Sequence, residues 1–146
     1  MPSGAEGRAG WLPFGPKVTG QMPILIDSTV LIDILRGRPQ AQAFLAAARG
    51  SGELMSVTPV RTEVLGGVCE GEIRDTFTLL RLLDWVDVTV ELADVAGALD
   101  RRYRASHAGI DVVDYLLAAA ALELGGVVAT SNVRHFPMFP GLQPPY

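Results

Sequence analysis

From Pro23 onward, short apolar runs alternate with stretches whose apolar residues recur at helical spacing. The run PILI reads as a buried strand. In STVLIDILRG, Val30, Leu31, Ile34 and Leu35 share one face while Asp33 and Arg36 fall elsewhere, as a helix requires. Gly37 and Pro39 punctuate, and QAQAFLAAAR is helical through its Ala and Leu content, ending at Gly50. ELMSVT is a second strand. PVRTEVLGGVCE follows as a helix with Pro59 at its first position, where the missing N–H costs nothing. RDTFTLLRLLDW is a further amphipathic helix, VDVTV alternates as a strand should, and ELADVAGALDRRYRAS and DVVDYLLAAAALEL are two more helices. GGVVATS closes the series as a strand. Strands separated by helices predict right-handed crossovers and an α/β fold, its parallel sheet covered on both faces.

Residues 1–22 break this pattern. The stretch MPSGAEGRAGWLPFGPKVTGQ is rich in Gly and Pro, has no period, and lacks the apolar segment of a secretory signal. It is expected to be a flexible leader or extension, with one domain over 23–146, in keeping with a length of 146 residues. Cys69 is the only cysteine, so no intrachain disulfide forms and a reducing, cytoplasmic setting is expected. No apolar stretch is long enough for a membrane helix; the longest is cut by Asp114, Glu123 and a Gly pair. Sixteen acidic residues against twelve basic ones give a net charge of −4. That balance argues against a protein that clamps nucleic acid by surface charge alone. It fits an enzyme whose acids hold a cation.

Ligands of open parallel sheets gather at the carboxyl ends of the strands. Asp27 directly follows the first strand, Glu63 lies early in the helix after the second, and Asp114 sits in the first turn of the helix leading to the last strand. Thr130, Ser131 and Asn132 follow that strand. Structural duties compete for two of these acids: Asp27 suits a helix N-cap, and Asp111 with Asp114 has the spacing of a capping box. Glu63 has no capping duty, and its face, shared with Val60, Gly66 and Gly67, reads as a packing face. The helix after Asp114 is apolar almost all round, so its first turn is expected to be partly buried. The only lysine, Lys17, lies outside the core segments. Clustered carboxylates resist joint ionisation, and a divalent cation relieves that conflict. Oxygen donors select Mg²⁺ or Mn²⁺ over Zn²⁺. His107 and His135 read as surface or loop residues. The chain has neither a phosphate-binding loop ending in Lys nor a G-x-S-x-G nucleophile elbow.

ILIDSTVLIDILRG, TPVRTEVLGG, GIDVVDYLLAAAALELGGVVATSNVRHF and the closing PGL, in this order, resemble the successive blocks of a PIN-domain ribonuclease, specifically a VapC-type toxin of a type II toxin–antitoxin pair. The resemblance covers Pro23 to Leu142. It implies a PIN-like three-layer fold with a parallel sheet of four or five strands flanked by helices, and Mg²⁺-dependent (or Mn²⁺-dependent) hydrolysis of phosphodiester bonds in RNA. A cognate VapB-type antitoxin that blocks the site, and a homodimer, are implied as partners.

Carried over residue by residue, the resemblance makes Asp27 and Asp114 metal ligands, with Glu63 completing the shell or orienting the attacking water. Asn132 stands where many relatives carry a fourth acid, and would hydrogen-bond a water or the substrate. Ser28 or Thr29 would orient the first carboxylate. Arg36, Arg38, Arg134 and His135 are candidates for the RNA backbone, whereas RRYR reads as an exposed basic helix face. Two other readings stay open. One is a catalytically silent PIN-like binding module or repressor subunit acting with an antitoxin. The other is an acidic α/β domain that holds a small phosphorylated ligand through a cation.

Overall fold

A computed structural model of the chain describes residues 21–146. The leader expected over residues 1–20 lies outside the described residues, and Met22, assigned to it from the sequence, opens the first strand. The elements run β1 (Met22–Ile26), α1 (Ser28–Leu35), α2 (Pro39–Ser51), β2 (Gly52–Val57), α3 (Thr58–Gly66), a short 3-10 turn, α4 (Ile73–Leu80), β3 (Asp84–Val86), α5 (Val90–Tyr103), α6 (Val112–Leu124), β4 (Val127–Ala129) and a second 3-10 turn (Val133–His135).

All strand pairs are parallel and the sheet order is β3-β2-β1-β4. The chain winds outward from β1 through β2 to β3, then returns to the other side of β1, where Ile24, Leu25 and Ile26 register with Val127, Val128 and Ala129. The reversal creates a switch point between the carboxyl ends of β1 and β4, the place where such sheets open a crevice. Successive residues of a strand face opposite sides, so the unbroken burial of Leu54 through Val57 means that both faces of β2 are covered. On one side α6 packs on β1, β2 and β4, with α5 against it. The group of α1, α2, α3 and α4 packs together and onto β2. This is the three-layer α/β architecture expected from the sequence.

The core elements have local causes. Tyr115 through Ala121 of α6 are all buried, and the run Ala118–Ala121 is fully so, which lets the helix lie close to the sheet. Gly125 ends α6 at φ 67°, in the left-handed conformation that glycine adopts without strain. At Gly126 a Cβ would stand 2.6 Å from the Pro23 carbonyl oxygen, so the chain can turn into β4 against β1 only without a side chain. Asp33, buried on α1, accepts from Tyr146 Oη at 2.7 Å and from Arg38 at 3.1 Å. The Tyr146 hydrogen bond, then the Arg38 guanidinium, hold its carboxyl below the usual range. Tyr146 thereby ties the last described residue back to the first helix.

Two expectations shift. Pro59 is the second residue of α3, after Thr58. The third strand is Asp84–Val86 rather than 86–90, because the Thr89 hydroxyl accepts from Leu92 N–H and caps α5, ending any strand before Val90. Among the described residues no helix is long and apolar enough to cross a membrane.

Candidate active site

Asp27 is 3% exposed and occupies the first position past β1, its backbone N–H extending the ladder to the Ala129 carbonyl at 2.9 Å. It is the N-cap residue of α1, as its residue type suggests. Its Oδ1 accepts from Ser28 N–H at 2.8 Å, while Oδ2 accepts from Thr130 Oγ1 at 2.6 Å and from Thr29 Oγ1 at 3.4 Å. Thr130 is fully buried just past β4, and Asn132 N–H donates to the same hydroxyl at 3.0 Å. Ser131 N–H donates to Thr29 Oγ1 at 3.2 Å. The first carboxylate is therefore fixed by both strands of the switch point.

Asp114 also has two duties. It is the partner of Asp111 in a capping box that starts α6: Asp111 Oδ1 accepts from Asp114 N–H at 2.9 Å and Asp114 Oδ2 from Asp111 N–H at 3.2 Å. The same Oδ2 lies 3.0 Å from His135 Nδ1. Capping and pairing thus use one oxygen, and Oδ1 has no hydrogen-bond partner among the described residues. Burial, followed by the charges of Asp111 and Asp27, pushes the Asp114 carboxyl up to about 6, against an opposing contribution from the Asp111 backbone and His135.

Glu63 is exposed on the second turn of α3; of the face expected to pack, Val60 is fully buried while Gly66 and Gly67 open to solvent. The pKa of Glu63 is raised by desolvation and then by the charges of Asp111, Asp27 and Asp114, with the Ser28 side chain acting in the opposite sense. Glu63 thus feels the charges of three acids and Asp114 those of two, although these residues lie on separate elements. Asn132 opens the second 3-10 turn with an exposed side chain, and its backbone, rather than its amide group, contacts Thr130.

The donor set suits a hard divalent cation. All the donors are oxygens, one Asp114 oxygen is unpartnered, and the acids oppose one another's ionisation in the absence of positive charge. Among the described residues no three His, Cys, Asp or Glu side chains close into a ready-made cage. An open rim is compatible with a small hard cation that keeps several waters.

Sequence reasoning left out three contributors. Asp111 was read only as a cap, yet its charge acts on both Glu63 and Asp114. Thr130 was noted only for its position. His135 was read as a loop residue and a candidate for the RNA backbone rather than as a partner of Asp114, and that contact depends on how the turn after β4 folds back over α6, which no local pattern announces. Of the arginines, Arg38 is drawn onto Asp33, and Arg104 pairs with Asp100 one turn earlier. Arg102 stacks on the Tyr103 ring at 5.4 Å.

Comparison with known proteins bears on the family and the fold. A family model described as PIN domain matches residues 24–138. Ribonuclease VapC19 of Mycobacterium tuberculosis is 48% identical over 123 residues, covering 84% of this chain and 98% of the relative. Ribonuclease VapC10 of the same organism is 42% identical over 123 residues, covering 84% and 92%. Among solved structures, a toxin–antitoxin complex from Klebsiella pneumoniae superposes with a TM-score of 0.69 at 22% identity, covering 84% of this chain and 98% of that one.

Proposed function

The chain belongs to the PIN-domain family, and from that premise we propose that it is a VapC-type endoribonuclease, the toxin of a toxin–antitoxin pair, hydrolysing phosphodiester bonds in RNA with a divalent cation. Mg²⁺ or Mn²⁺ is the cation that the oxygen donors favour. The catalytic unit is residues 23–146, and a VapB-type antitoxin is its partner. What supports the reading is that Asp27 follows β1, that its carboxylate is held by Thr130 just past β4, and that its charge and that of Asp111 act on both Glu63 and Asp114.

Asp27 and Asp114 would hold the cation, Asp114 through the Oδ1 that its capping duty leaves free. When bound, a divalent cation in such a site activates water and offsets charge on the phosphoryl group. Thr130 and Ser28 N–H fix the Asp27 carboxylate in one orientation, which removes the need to reorganise it during turnover. Glu63, exposed and made more basic by its neighbours, is suited to accept a proton from the attacking water. Asn132, on the turn beyond β4, would hydrogen-bond that water or the substrate. A neutral side chain in that position would hold a second cation less tightly than an acid would, and leaves a one-cation site intact.

The deciding experiment is mapping of RNA ends after brief induction of the wild-type chain beside Asp27→Asn and Asp114→Asn, together with Mg²⁺-dependent cleavage by the purified proteins. Both variants are expected to lose toxicity and to cut at least 10²-fold more slowly while still folding and binding antitoxin, as loss of a positioned charge implies. Wild-type protein that binds antitoxin but cuts no RNA would make it a silent binding module instead.

A further inference from the structure

Beside the acids lies an open-sided cavity of about 710 Å³. Ser106, His107 and Gly109, in the loop between α5 and α6, form one wall, and Arg134, His135 and Pro137, after β4, form the other. The volume falls within the range of ligand clefts, roughly 300–1,000 Å³. That is room enough for a nucleotide.

The walls differ in chemistry. The His107 ring is braced at its edge by Tyr103, with ring centres 5.8 Å apart at 72°, and its Nδ1 lies 2.8 Å from Ser106 Oγ. A braced, exposed aromatic ring is a platform on which a base can stack, whatever the base. Across the cavity Arg134 has no ion-pair partner among the described residues, so its guanidinium is available to a phosphate. His135 belongs to both places, since it lines the cavity and its Nδ1 sits on Asp114. A chain segment seated here therefore continues directly to the acid rim. Gly109, at φ 88°, gives the loop the turn that keeps it against His135.

We propose that this cavity seats an unpaired nucleotide next to the scissile phosphate, with its base on the His107 ring and its backbone phosphate on Arg134, so that the loop at Ala108 helps to choose which RNA is cut. The proposal rests on the ribonuclease reading above and adds where a flanking base and its phosphate sit. Recognition of RNA sequence commonly takes this form, with unstacked bases laid on aromatic rings.

The test uses the full chain and a labelled oligoribonucleotide spanning a cleavage site mapped for the wild-type protein. Arg134→Ala is expected to raise KM about tenfold, with the effect falling on KM rather than kcat, as the loss of one charge-assisted hydrogen bond implies. Ala108→Phe, a substitution in an exposed turn that narrows the cavity, is expected to change the base preference at one nucleotide flanking the cut in transcriptome-wide end mapping. An unchanged KM together with an unchanged preference overturns the subsite while leaving the ribonuclease reading intact. So does a fall in kcat alone, which would assign the loop to scaffolding of the acids, or loss of antitoxin binding at unchanged KM, which would make the cavity a protein-binding seat. No cleavage by the wild-type chain removes both readings.

Discussion

Thr130 shows how much of this site depends on a side chain with no charge. Its hydroxyl donates to Asp27 at 2.6 Å inside a fully buried pocket, and it accepts from Asn132 N–H in turn. Replacing it with valine preserves the shape and removes both roles, leaving a buried carboxylate oxygen short of a donor. Partners of metal-holding carboxylates typically contribute a factor of about 10–100 in affinity or activity. Thr130→Val should therefore lower Mg²⁺-dependent cleavage by about that factor, and titration of Mg²⁺ against rate should show weaker apparent binding. Asp27, Glu63 and Asp114 were legible as acids at strand ends and helix starts because residue type and topology suffice to place them. The hydroxyl and imidazole that orient them were not. Their roles come from contacts across long sequence separations, such as the 103 residues between Asp27 and Thr130.

At the scale of elements, the strands with continuous apolar runs were readable and the one with alternation was not. VDVTV has the period of a half-buried strand, yet Val88 and Val90 are 40% and 74% exposed, and Thr89 starts a helix between them. The true strand, Asp84–Val86, looked like the end of a helix. It is held by Val86 in the core and by the Trp85 indole donating to the Leu80 carbonyl at 2.9 Å. The Gly125–Gly126 pair was read simply as an interruption. In the fold each glycine has its own reason, a left-handed helix end and a close passage over Pro23. Gly126→Ala should force β4 away from β1 and lower unfolding free energy by about 1–3 kcal/mol, the usual penalty of overpacking. A denaturant titration with unchanged midpoint would show that the strand can yield without loss.

For the molecule as a whole, the acids impose a dependence on pH and cation. The Asp114 carboxyl, ordinarily near 3.8, sits at about 6 in the folded chain. Between those values the folded state holds more protons than the unfolded state, so this group's contribution to stability falls as pH rises through about 6. Asp33 works in the opposite sense: its carboxyl is lowered, so its contribution is present above the unfolded value and is lost in acid. The Asp114 contribution is therefore read as a difference between proteins. In EDTA, Asp114→Asn should melt higher than wild type at pH 7.5, and the gap should close toward pH 4. Saturating Mg²⁺ should raise only the wild type, by about 2.7 kcal/mol at a hundred times Kd. The sheet order has a temporal consequence as well. Since β4 is the last strand of the sheet to be made and leads into the Thr130 that holds Asp27, a nascent chain cannot complete this support for the carboxylate until Thr130 has been synthesised. A product of interrupted translation that stops before Val127 would lack both the β1 neighbour and the hydroxyl that orients the first carboxylate.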